Sequence, residues 1–285
     1  MIVDTNKRFL IVGLGLLGGS YARALKRFGF KVCAITKEQS SIDYALNEGI
    51  IDEGTTELDK NIIGSADLVI FALYPHVFVE WIEQNQSLLK SGAIITDVTG
   101  VKGSIVYKIQ EMLRDDVEFI AAHPMAGREV SGVENSTDRM FQGANYIVTP
   151  TDKNTPEAIE NCLELGRLLG FSNVTTLTPE EHDEMIGFLS QLTHCIAITL
   201  MTCNDKEHME KFTGDSFRDL TRIARINDLM WSELFVANKD SLLNQMDMFM
   251  DKFKELKSML EAEDIEGMRK MMRHSTQRRA LFDKK

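Results

Sequence analysis

The chain has 285 residues, more than one ordinary domain requires, so two domains or one long doubly wound unit with an addition is expected. Its 44% hydrophobic and 26% charged residues allow a sizeable core. The 32 Lys+Arg against 43 Asp+Glu leave a formal charge of −11, which argues against a binder of duplex DNA or of an anionic membrane. An anionic small molecule would need a local basic pocket.

The stretch Met1–Lys7 carries an early acid, Asp4, and no long apolar run, so no secretory signal is expected. The most apolar helical region, Ile186–Met201, is expected to be too short for a membrane span and is interrupted by Ser190, Gln191 and His194. Cys33, Cys162, Cys195 and Cys203 show no CxxC spacing. They read as reduced, buried thiols, and a cytoplasmic protein is expected.

Short apolar runs rich in Val, Ile and Phe recur at Arg8–Val12, Lys31–Ile35, Asp67–Leu73, Ala93–Val98, Phe119–Ala122, Asn145–Thr149 and Asn173–Leu177, and each is a predicted strand. Helical stretches lie between them. In the first, Leu17, Tyr21, Leu25 and Phe28 form one apolar stripe that Gly29 stops. Strand alternating with helix predicts an α/β fold, a Rossmann-like, doubly wound, mostly parallel sheet.

After Leu177 the character changes. Thr178, Pro179 and Glu181 supply an N-cap, a first-turn proline and a capping-box acid. No proline and only three glycines follow, and eleven of the fifteen methionines lie here. The expected division is a dinucleotide-binding domain over 1–177 and an all-helical domain over 178–285. Leu242, Met246, Phe249, Met250 and Phe253 share a face that something must cover, either packing within the fold or a dimer partner. The basic end, Lys270–Lys285, reads as a fraying, solvated helix end.

Gly13-Leu14-Gly15-Leu16-Leu17-Gly18 is a GxGxxG run between the first strand and the first helix. There the glycines permit a tight turn, close approach of a pyrophosphate and helix–strand packing, and the helix start offers free N–H groups. At the end of the second strand, where an acid would select NAD, stand Thr36 and Lys37, with Glu38 next. NAD or NADP is therefore the expected cofactor, with a lean to NADP unless a longer turn brings Glu38 into place.

Two histidine segments sit where catalytic groups belong. His123 follows the strand Phe119–Ala122 and is fixed by Pro124, so it can act as a base with a pKa near neutrality. His182 and His194 lie on the first helix of the helical region, about a third of a turn apart by ideal arithmetic. That is poor spacing for a shared ion, and no metal is expected. Cys195 reads as a buried, inert thiol. Further on, Arg218 and Arg222 are one turn apart with Arg225 nearby, beside Asp215 and Asp219. This is either a solvated salt-bridged face or an arginine fork for a carboxylate.

Gly13–Ser20, Thr96–Gly103 (TDVTGVKG), His123–Glu129 (HPMAGRE), His182–His194 and Phe217–Trp231 occur in one order, and in it the chain resembles the prephenate/arogenate dehydrogenase family over roughly residues 8 to 240. The resemblance implies oxidative decarboxylation of prephenate or arogenate in tyrosine biosynthesis, by a nucleotide-binding domain followed by a helical dimerisation domain. It implies a homodimer, while the acidic charge leaves neither nucleic acid nor membrane as an expected partner. It assigns His123 to the ring hydroxyl, with His194 as the second catalytic histidine. It also places His182 in the substrate pocket, Arg222 on a substrate carboxylate and Glu129 as an acidic pocket residue.

The chain departs from that pattern at Gly100, where many relatives carry serine, leaving Thr99 or a water to supply the hydroxyl. Gln191 and Thr193 replace the commoner His and Pro, and Arg128 stands where a small polar residue is usual. The length leaves no room expected for a chorismate mutase domain. Rival readings are a 3-hydroxyacid dehydrogenase or imine reductase on the same scaffold, and a non-catalytic nucleotide sensor.

Overall fold

The computed structural model describes residues 4–283. In chain order the amino-terminal part runs β1 (Arg8–Val12), α1 (Leu16–Arg27), β2 (Lys31–Ile35), α2 (Gln39–Asn47), β3 (Glu53–Thr55), α3 (Lys60–Gly64), β4 (Leu68–Phe71), α4 (Pro75–Asn85), β5 (Ile94–Asp97), α5 (Gly103–Met112) and β6 (Glu118–Phe119). These six strands form one parallel sheet in the order β3-β2-β1-β4-β5-β6. The order reverses between β1 and β4, which opens a crevice at the carboxyl ends of the strands, where ligands bind in such sheets.

Pleating explains the two cores. In β1, Phe9 and Ile11 enter one buried cluster with Tyr21, Leu25 and Phe141, while Leu10 and Val12 enter another with Phe71, Phe78 and Phe119. Burial on both faces is why these strands read as unbroken apolar runs. β3 escaped that reading because Glu53-Gly54-Thr55 is short and polar.

The strand expected over Phe119–Ala122 is two strands. β6 ends at Phe119, and β7 (Ala121–Met125) leaves for a second sheet with β8 (Asn145–Thr149) and β9 (Asn173–Thr176), the last two connected by α6 (Pro156–Leu169). β7 pairs antiparallel with β8, and β8 parallel with β9. The break carries His123 off the main sheet edge.

Thr178 then starts the helices as expected: its hydroxyl accepts the Glu181 N–H at 3.2 Å and the Glu181 carboxylate accepts the Thr178 N–H at 2.9 Å. α7 (Pro179–Ile186) runs through a π-helical segment, Gly187–Leu192, into α8 (Thr193–Thr202) without a break. The whole helix is 24 residues, long and apolar enough to cross a membrane by length and composition, which corrects the expectation that this region is too short. Only 28% of its apolar window is buried within the chain. α9 (Asp215–Thr221) and α10 (Asp228–Ala237) follow, and Met230, Trp231, Leu234 and Ala237 of α10 pack against the second core.

Residues Lys239–Lys285 form a separate compact unit. It is a pair of helices, α11 (Lys239–Glu261) and α12 (Ile265–Arg279), turned at Glu263 (φ +52°) and recapped by Asp264, whose carboxylate accepts the Gly267 N–H at 2.9 Å. Phe249, Met250 and Phe253 of the apolar face are exposed. At the basic end α12 holds to Arg279, with one more tight turn to Phe282; Lys284 and Lys285 lie outside the described residues.

Candidate active site

The glycine loop has the form a dinucleotide requires. Gly13 sits at φ +95°, and a Cβ there would meet the Ala72 carbonyl at 2.4 Å. A Cβ on Gly18 would meet the Gly13 carbonyl at 2.0 Å. Both glycines are demanded by the protein's own backbone. Gly15 is different, because a Cβ there meets nothing within 4 Å, so its backbone is open to approach from outside. Leu16 and Leu17 open α1 with no side-chain cap and no acid in the first turn, leaving N–H groups and the positive dipole end for phosphate. A nicotinamide dinucleotide fits this cradle.

His123 is placed by β7 and tied from behind. Its Nδ1 lies 2.9 Å from Nε2 of His182, and Nδ1 of His182 lies 2.7 Å from Oδ1 of Asp183. Asp183 is itself anchored, accepting the backbone N–H groups of Lys102 and Gly103 at 2.8 Å each. The proton positions follow. A carboxylate only accepts, so Nδ1 of His182 carries hydrogen and its Nε2 is bare. That bare nitrogen accepts from Nδ1 of His123, which leaves Nε2 of His123 without a proton, as a general base requires.

Burial also sets the charge. It pushes His123 well below the ordinary histidine pKa, and the neighbouring His182 and the Lys102 cation push the same way. His182 is lowered chiefly by burial, although Asp183 opposes the shift. His123 is therefore a neutral acceptor at physiological pH, and the expectation of a pKa near neutrality is corrected.

Beneath the histidines lies an ion pair with no solvent exposure. Lys102 Nζ donates to Asp97 Oδ2 and to the Ala122 carbonyl, both at 2.7 Å, and to the Thr99 hydroxyl at 3.3 Å. Asp97 Oδ1 accepts the Ala122 N–H at 3.1 Å. Ala122, the residue before His123, is thus held at both its backbone N–H and its carbonyl. All three ammonium donors are used, the condition under which a buried cation is tolerable.

The substrate side is built differently. His194 donates from Nδ1 to the Ser190 carbonyl at 2.9 Å and stacks on Trp231, ring centroids 3.7 Å apart, so its Nε2 is the nitrogen left for a ligand. Burial lowers its pKa, while Glu129 raises it and Arg222 lowers it, which places all three residues in one field. Arg222 reaches across 93 positions to an ion pair with Glu129, both side chains exposed. Arg218 instead pairs with Asp215 at 2.8 Å. The expected arginine stripe is split, because α9 ends at Thr221 and a tighter turn carries Arg222 elsewhere.

Two expected contacts are corrected. His182 is fully buried with both ring nitrogens engaged, so it supports His123 rather than lining the substrate pocket. Thr99 is 4% exposed, and its hydroxyl serves Asp97, Lys102 and the Val101 carbonyl, so it does not replace a serine at Gly100. A Cβ on Gly100 would lie 3.9 Å from Cε1 of His123. The thiols also differ from expectation, since Cys203 is exposed and Cys195 half-buried. Asp97, Lys102, Asp183 and Trp231 were not singled out as site residues. The available signal was position, as Asp97 ends a parallel strand at its carboxyl end.

Family comparison agrees with this geometry. Residues 21–175 match the nucleotide-binding domain of prephenate dehydrogenase, and residues 178–274 match its dimerization domain. The chain belongs to the prephenate dehydrogenase family. It is 30% identical to prephenate dehydrogenase of Bacillus subtilis over 91% of this chain and 71% of that protein. The structure of prephenate dehydrogenase from A. aeolicus, solved with hydroxyphenyl propionate and NAD+, superposes with a TM-score of 0.90 at 31% identity, over 97% of this chain and 98% of that one. Synechocystis arogenate dehydrogenase shares the fold, with a TM-score of 0.84 at 22% identity over 97% and 100% of the two chains. As a member of this family the protein is an NAD(P)-dependent oxidoreductase.

Proposed function

We propose that the chain oxidises and decarboxylates prephenate to 4-hydroxyphenylpyruvate, a step of tyrosine biosynthesis. The observation that carries this reading is the Asp183–His182–His123 relay, which leaves Nε2 of His123 bare. Prephenate carries a hydroxyl on the ring carbon that loses hydride and, across the ring, a carboxylate that leaves as carbon dioxide. His123 accepts the hydroxyl proton as the C–H bond breaks, and the ring becomes aromatic as carbon dioxide departs. Dinucleotide on the glycine loop supplies the hydride acceptor. Asp183 holds His182 in the tautomer that keeps His123 a base, and steadies the charge as the proton arrives.

Arg222 is the carboxylate anchor in this reading. Its partner Glu129 is a carboxylate in an exposed pair, so a substrate carboxylate can exchange with it at small cost. Nε2 of His194 offers a further hydrogen bond, with Trp231 fixing the ring plane. The functional division is at 177/178, with nucleotide chemistry before it. The molecule is a cytoplasmic homodimer whose helical part pairs copies, which suits the exposed apolar groups Phe188, Leu189 and Met201 of the long helix.

The test is nucleotide reduction by purified protein with prephenate and with arogenate, each against NAD and NADP. Turnover of prephenate is expected. Turnover of arogenate alone would reassign the substrate, and silence with both acids, nucleotide binding intact, would refute the dehydrogenase reading. Analytical ultracentrifugation should give twice the chain mass.

A further inference from the structure

We infer that the nucleotide site prefers NADP to NAD, with Thr36 and Lys37 as the residues that decide it; this rests on the dinucleotide reading of the glycine loop. The sequence left one point open, whether Glu38 could occupy the place of the usual ribose-binding acid. Register closes it. Ile35, the last residue of β2, pairs with Val12 of β1 and Thr55 of β3. Its carbonyl accepts the Gly13 N–H at 2.8 Å, and the Thr36 N–H continues to the Thr55 carbonyl at 3.3 Å. Thr36 therefore directly follows the residue bonded to the glycine loop.

Glu38 lies two residues on and begins α2 as its N-cap, with its carboxylate accepting from the Ser41 hydroxyl at 3.4 Å. It faces its own helix. No side chain caps α2, and its first turn holds no acid, so N–H groups there remain free for an anion. Lys37 is exposed, and among the described residues no carboxylate pairs with it. A neutral hydroxyl and an unneutralised ammonium stand where an acid would chelate ribose hydroxyls and repel a 2′-phosphate. Together they accept a phosphate monoester.

Isothermal titration with NADP+ and NAD+ tests this on the full chain without turnover, with 2′,5′-ADP and ADP as probes that isolate the phosphate. A charge-assisted contact predicts NADP+ binding about ten- to a hundred-fold tighter than NAD+, and the same sense for 2′,5′-ADP over ADP. Lys37→Ala should narrow the NADP+/NAD+ affinity ratio by about tenfold, and Thr36→Asp should reverse it. Equal or tighter NAD+ binding, or a Lys37→Ala loss that leaves the ratio unmoved, would overturn the preference while leaving the dinucleotide site standing. Failure of both nucleotides to bind would remove the dinucleotide reading itself.

Discussion

Two sides of one site are built on opposite principles. On the His123 side, Asp97, Lys102 and His182 are completely buried and Asp183 nearly so, each with at least one hydrogen bond to a segment 20 or more positions away. On the Arg222 side, the main ion pair is exposed on both partners. The difference separates two tasks. Moving a proton needs one fixed tautomer in a dry setting, whereas capturing an anion needs a charge whose resting partner can be exchanged.

The largest effect should come from removing the base. His123→Asn keeps a polar group of similar reach but cannot take the proton, so kcat should fall about 10²–10⁴-fold with KM little changed. An unchanged kcat would end the assignment. Next comes the floor beneath it. Lys102→Met leaves the Asp97 carboxylate buried without its cation and should cost about 3–5 kcal/mol of stability, read by urea unfolding. A shift below about 1 kcal/mol, the range of an exposed pair, would erase the contrast between the two sides.

Asp183→Asn and Arg222→Ala compare the sides directly, each removing a charge-assisted bond of about 1.5–3 kcal/mol. The first should lower kcat about ten- to a hundred-fold, because an amide can hold His182 in the other tautomer. The second should raise KM by a similar factor with kcat nearly kept. If both variants moved the same parameter, the division into proton handling and anion capture would be wrong.

What could be read from the sequence was what is local. The glycine loop and the Thr178 capping box are contiguous, and the tight turn at Gly13, the close packing at Gly18 and the reciprocal cap are present as their spacing implies. The relay was not legible, because Asp183 meets Lys102 and Gly103 from 81 and 80 positions away, and periodicity carries no record of such a meeting. His182 was assigned to the pocket because a motif names residues without their directions. The π segment at Gly187–Leu192 adds to this, since its wider turn shifts His194 away from the phase that ideal helix arithmetic gives relative to His182. The chain's turn from β6 into β7 is hidden for a similar reason: Phe119–Ala122 is apolar throughout, and apolarity does not say which of two sheets a residue joins.

The smallest effects should appear in pH dependence, and their sign distinguishes a dry site from a wet one. His123 and His182 both have folded pKa values below the ordinary histidine value of about 6.5. The unfolded chain therefore takes up protons first on acidification. Stability from these two groups is complete above about pH 6.5 and is lost as the pH falls from there toward the folded values, by at most about 1.4 kcal/mol per pH unit for each proton. Activity should follow a different course. His123 stays neutral in the folded protein well below pH 6.5, so kcat/KM should stay level on its acid side from pH 7 down through pH 6.5, measured where unfolding is still negligible. An acid limb centred near pH 7 would mean that His123 titrates as an exposed histidine does, and that water reaches the relay.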